Sequence, residues 1–187
     1  MKNIESSTSK FREENGVIYF SVTSDGTTGE QWIKRLSKNG HRVNDRAKNI
    51  LLSKDFKPTN GVTYQIAVVD GKLFTDENRT TANVRADANK RQLSTPHPEI
   101  APLIREKFSD EDLGVMCLYW LAAMHEPINN SDGVPTLLGV SRDNDDNWLC
   151  AFSGEPGRRS NCMGGFAFVV SQKKNINNLK PISHEKH

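Results

Sequence analysis

Residues 113–124 read LGVMCLYWLAAM, and apart from Gly114 every position is apolar, so no polar stripe is left to face water. A helix that is hydrophobic on all sides must be buried on all sides. The run is too short for a bilayer, which takes about 20 such residues. It therefore predicts a central helix over about 110–125, buried in a core, with a sheet and amphipathic helices laid against it. Ser109 with Asp112 supplies a capping signal, and Asp110, Glu111 and Asp112 suit the positive helix start. Pro127 stops the element.

The segments around this run alternate in character. Residues 17–23 and 62–69 are rich in β-branched and aromatic side chains and read as strands. Residues 136–141 and 148–152 flank the polar turn 143–147 as a hairpin would, and 166–170 reads as a strand buried on both faces. Between the first two strands, Trp32, Ile33 and Leu36 mark one amphipathic helix, and Ala47, Ile50 and Leu51 mark a second. Thr27 or Thr28 can cap the first, and Asn39-Gly40 ends it. Lys72-Leu73-Phe74 suggests a short returning strand, Thr75 or Asp76 the start of a surface helix reaching about Leu93. A further helical piece carries Ile100, Leu103, Ile104 and Phe108.

Strands, then helices, then strands predict an α+β fold with a mostly antiparallel sheet, not a doubly wound one. The 187 residues fit one domain over 16–171. Residues 1–15 read as a disordered polar lead and 172–187 as a flexible polar tail. A chain of this length buries roughly 70% of its unfolded surface, so its fold needs neither disulfide nor metal. The start of the chain has no apolar signal segment, and Cys117, Cys150 and Cys162 show no CxxC spacing. These features point to a cytoplasmic protein with free thiols, although a Cys150–Cys162 pair stays open.

Motifs that carry chemistry are sparse. The turn 25–29 (DGTTG) feeds a helix start, where backbone N–H groups can hold an anion. It has neither Walker nor GxGxxG spacing, and the reading as a capped turn is preferred. The run 143–147 begins like a calcium loop but has Trp148 at the sixth position, where glycine is needed. His184 and His187 read as solvated tail residues rather than a metal pair. No metal or cofactor is expected.

Two sets of residues remain. His125 and Glu126, at the predicted helix exit, are the candidates for a catalytic acid–base pair, set against a plain C-terminal cap. Between Glu30 and Lys57 bases outnumber acids eight to three, whereas the rest of the chain is net negative. Lys34, Arg35, Lys38, Arg42, Arg46 and Lys48 are the candidates there for a nucleic-acid phosphate footprint. Against it, no aromatic residue is interleaved for base stacking, and bases on outer helix faces are usually just solvated.

Taken as a set, residues 20–33 (FSVTSDGTTGEQWI), 55–59 (DFKPT), 124–127 (MHEP) and 165–171 (GFAFVVS) resemble a group of conserved bacterial proteins with no assigned activity. The resemblance covers about residues 17–172. It implies a bacterial or phage origin and a stand-alone domain, and transfers no catalytic role. The reading that follows is a non-enzymatic protein that binds a macromolecular partner or itself, with no membrane association. Nucleic-acid association through residues 30–57 is the alternative, and an enzyme using His125 and Glu126 comes third.

Overall fold

In the computed structural model, residues 9–143 and 146–171 are described. Ten strands form one mixed sheet: β1 (Arg12–Glu14), β2 (Val17–Asp25), β3 (Arg42–Val43), β4 (Asn60–Asp70), β5 (Leu93–Ser94), β6 (Trp120–Ala123), β7 (Ile128–Asn129), β8 (Pro135–Asp143), β9 (Asp146–Ser153) and β10 (Gly164–Val170). Five α-helices accompany them among the described residues: α1 (Gly29–Lys38), α2 (Asp45–Leu51), α3 (Thr81–Lys90), α4 (Ile100–Lys107) and α5 (Asp110–Val115). The order along the sheet is β1-β2-β4-β10-β6-β8-β9-β3, with β5 beside β10 and β7 beside β8. Two of the pairings are parallel, β10 with β6 and β3 with β9; the rest are antiparallel. The fold is α+β with a mostly antiparallel sheet, as the strand and helix pattern predicts.

Alternation along each strand divides the interior into two cores. Ile18, Phe20 and Val22 of β2, with Ile66 and Val68 of β4, face α1, α2, α4 and α5. The opposite face places Val69, Phe166 and Phe168 against Val84 and Ala88 of α3. Helix starts follow local signals. Thr28 caps α1 in a reciprocal box with Gln31, Asn44 caps α2 through the Ala47 N–H at 2.7 Å, and Ser109 and Asp112 box the start of α5. Gly29 has a packing role in addition. A Cβ there would stand 1.7 Å from the Leu51 carbonyl oxygen, so α1 and α2 touch only because the side chain is missing.

The central helix expected over about 110–125 is not there. Helix α5 ends at Val115, and Cys117 takes a left-handed backbone (φ 58°). The Cys117 N–H donates to the Gly114 carbonyl at 3.0 Å and the Leu118 N–H to the Leu113 carbonyl at 2.9 Å, which is the Schellman pattern of a helix end. The chain then re-enters the sheet as β6. An all-apolar run satisfies a strand inside a two-faced sheet as well as a buried helix, and period alone does not separate them. Here Leu121 and Ala123 enter the first core while Ala122 and Met124 enter the second. The turn leaves Val115 and Tyr119 in solvent, 73% and 49% exposed.

Smaller departures have local causes. Gly71–Leu73 is a 3-10 turn capped by Asp70, not a strand, and α3 begins after its cap Thr80 rather than at 75 or 76. Arg12–Glu14, within the lead expected to be disordered, pairs with β2, and Phe11 packs edge-on to Phe108 with centroids 6.4 Å apart. The tail 172–187, with His184 and His187, lies outside the described residues. All three cysteines are free: Cys150 is buried, so it does not pair with the exposed Cys162. Among the described residues no helix is long and apolar enough to cross a membrane.

Candidate functional site: a basic, tryptophan-walled groove and a second cleft

Helix α1 ends at Lys38, Gly40 turns the chain with a left-handed backbone (φ 80°), and Asn44 already caps α2, which leaves room for only a two-residue strand between them. Val43 fixes that strand, being buried and paired with Leu149, and the Asn44 N–H donates to the Leu149 carbonyl at 3.1 Å. The parallel register sets Arg42 beside Trp148 on the same face, with the guanidinium 5.5 Å from the indole centroid. Ser37, His41, Asn44, Asp45 and Lys48 are among the residues that complete an open groove of about 580 Å³. The Nδ1 of His41 is buried without a hydrogen-bond partner. Burial first, then the positive charge of Arg105, holds this histidine below its usual pKa, which favours the neutral ring.

The six candidate bases do not form one field. Arg35 is committed to structure: its guanidinium grips both oxygens of Glu106 at 2.5 Å and reaches Asp25 at 2.5 Å. Those hydrogen bonds, Glu106 first, raise its already high pKa. Lys34 pairs with Glu30 at 3.1 Å and Lys48 with Asp45 at 2.9 Å, both at the surface, where such pairs are weak and exchange readily. Lys38 and Arg46 are exposed. Arg42 and Lys48 thus line the groove beside one aromatic wall. Trp148 is the residue that sequence reading missed, because only a two-residue strand brings it to Arg42.

The turn 25–29 is occupied by its own side chains. The Asp25 carboxylate accepts from the Thr27 N–H at 3.1 Å and from Arg35, and hydrogen bonds from Thr27 and then Arg35 hold its pKa low. It is a capped turn.

At the other expected site, the helix end that would have favoured a charged His125 does not exist; the residue follows strand β6. His125 is fully buried. Its Nε2 accepts from the Leu138 N–H at 2.8 Å, so the proton sits on Nδ1, which donates to the Glu126 carbonyl at 2.7 Å. Burial, the largest cause, drives its pKa down to about 4, while the Glu126 carbonyl opposes the shift. With both nitrogens spent on backbone, the ring holds strands together and has no lone pair or proton for a substrate. Glu126 is exposed and opens onto a different cleft of about 420 Å³, shared with Asp55, His97 and Asn129. Behind it lies Glu99, a carboxylate only 2% exposed. The exit after residue 124 therefore does deliver polar groups to a concave surface, but the histidine there is His97, which the sequence offers only as part of a Pro96-His97-Pro98 chain break.

Among the described residues no group of three or more His, Cys, Asp or Glu is arranged to hold a metal ion. The chain matches no protein-family model, no curated protein and no solved structure.

Proposed function

We propose that this chain is a binding protein for single-stranded nucleic acid, with the β3–β9 edge as its contact surface. The observation that carries this reading is the pairing of Arg42 with Trp148 beside Lys48. An indole wall offers a stacking face to any base, and the flanking cations suit the phosphates that follow it along the strand. The two lysine ion pairs with Glu30 and Asp45 are surface pairs that phosphates can replace.

The test is fluorescence anisotropy with a labelled oligothymidylate and oligouridylate of about 12 nucleotides. Binding is expected at low salt and should weaken steeply as salt rises, because each neutralised phosphate releases counterions. Trp148→Ala should weaken binding roughly 5- to 100-fold, the range of one lost stacking contact. Lys48→Gln should flatten the salt dependence. No binding at low salt, or an unchanged affinity in Trp148→Ala with an intact circular dichroism spectrum, overturns the reading.

A further inference from the structure

The row of residues that sets Arg42 beside Trp148 continues inward from the sheet edge. Trp148 stands opposite Ser141 of β8, Ser141 opposite Trp120 of β6, and Trp120 opposite Gly164 of β10. Residues directly opposite one another in a ladder point to the same face of the sheet. The next residue in each strand (Val43, Leu149, Val140 and Leu121) enters the first core. Arg42, Trp148, Ser141 and Trp120 therefore all point to the second face. Helix α3 covers that face over Val69, Phe166 and Phe168, and Trp148, Ser141 and Trp120 stay half-exposed.

The inner indole is fixed before any ligand arrives. Nε1–H of Trp120 donates to Oδ1 of Asn161 at 2.8 Å. The ring lies over the bare backbone of Gly164, where a Cβ would come within 2.0 Å of it. Phe152 and Phe166 support it, with centroids at 5.6 and 5.3 Å. A ring held in this way loses little freedom when a base stacks on it. In the row, only Ser141 stands between the two indoles, and its side chain is too short to block a base. Two charge features frame the row. The β8–β9 turn beyond it carries Asp143, Asp145 and Asp146 in sequence, which repels a polyanion that would leave along the strands. Arg158 and Arg159, both exposed, come three and two residues before Asn161 on the other side.

We propose that the single strand crosses the sheet face, from Arg42 and Trp148 over Ser141 to Trp120, with one base on each indole. This inference rests on the nucleic-acid reading and adds to it the path, the second stacking residue and the length of ligand required. Neighbouring strands lie about 4.8 Å apart, so the two indoles rise from backbones about 10 Å apart. A base occupies about 3.4 Å along a stack, so one base cannot touch both rings and the ligand is an oligonucleotide of at least about three residues.

The experiment reads intrinsic tryptophan emission of the full chain while oligouridylate of about 12 nucleotides is added until anisotropy reports saturation. A stacked base quenches indole emission. Of the three tryptophans, Trp32 is 1% exposed within the first core and out of reach of a base. Quenching in Trp148→Phe therefore reports Trp120, and it should be saturable and follow the anisotropy. Trp120→Leu should weaken binding roughly 5- to 100-fold, the range of one lost stacking contact. With both substitutions combined, the emission of Trp32 should not respond. Trp148-dependent binding in which Trp120 stays unquenched at saturation overturns the crossing path and leaves the edge groove standing, as does full affinity in a folded Trp120→Leu. Equal quenching in the double variant also overturns it, because the signal then does not come from contact with Trp120. Absence of any binding by the unsubstituted chain removes the path and the nucleic-acid reading together. If Trp120→Leu does not fold, the quenching of Trp148→Phe decides, since that variant keeps Trp120 in place.

Discussion

His125 is sealed from solvent with one nitrogen accepting and the other donating to backbone, an arrangement that requires a neutral ring. Its pKa is ordinarily 6.5 and falls to about 4 in the fold. The unfolded chain therefore binds the extra proton first as pH drops. The stability this residue contributes is present in full above pH 6.5 and is lost as pH falls toward 4. The loss is on the order of 3 kcal/mol across that window. Urea unfolding measured at intervals from neutral pH down to about 4 should show this decline, and His125→Gln should be less stable at neutral pH but flatter over the same interval. A wild-type midpoint that does not move there would show that the ring is protonated without cost. Residue identity alone does not distinguish this histidine from His97. Both stand beside a glutamate or a proline in sequence, and only the strand that follows residue 119 decides which is buried and which faces the cleft.

At the scale of elements, the signals that act over three or four residues are legible in the sequence and those that act between strands are not. The Thr28–Gln31 and Ser109–Asp112 capping boxes are local hydrogen bonds, and both are present as the spacing predicts. The run 113–124 fails that standard because its apolar faces fit either period. What settles it is the ladder offered by β8 and β10, whose partners lie far along the chain. The switch itself rests on Cys117, the C′ position of the Schellman end, where a left-handed backbone favours glycine. A non-glycine residue there costs about 1–2 kcal/mol in conformation, partly offset because glycine gives the unfolded chain more freedom. Cys117→Gly should therefore stabilise the protein by roughly 0.5–1 kcal/mol. Thermal unfolding of the two forms checks this, and a lower midpoint for the glycine form would mean that the thiol makes contacts outweighing the backbone strain. The same limit explains the groove. Arg42 is legible as a base, but its Trp148 neighbour depends on a strand two residues long, too short to carry a period.

At the scale of the whole molecule, the last strand among the described residues is a central strand of the sheet. β10 is the joint between the β1-β2-β4 side and the β6-β8-β9-β3 side, antiparallel to one and parallel to the other. Removing it leaves the Ile66–Asp70 edge of β4 and the edge of β6 without ladder partners. It also withdraws Phe166 and Phe168, both nearly fully buried, from the second core and Ala167 from the first. Each phenylalanine is worth about 1.5–3 kcal/mol in burial, and each lost ladder hydrogen bond about 1 kcal/mol. Together these approach or exceed the 5–15 kcal/mol by which a domain is ordinarily stable. A chain ended after Met163 should therefore have no cooperative urea transition and a featureless near-ultraviolet circular dichroism spectrum. Both candidate surfaces should vanish with it, since the β6–β7 wall of the cleft and the β9 wall of the groove are anchored through β6 and β8 to that strand. If the shortened chain instead unfolds cooperatively, the β6-β8-β9-β3 side is an independent folding unit. In that event the groove at Trp148 would keep its oligonucleotide affinity without the rest of the sheet, a result the anisotropy measurement reads directly.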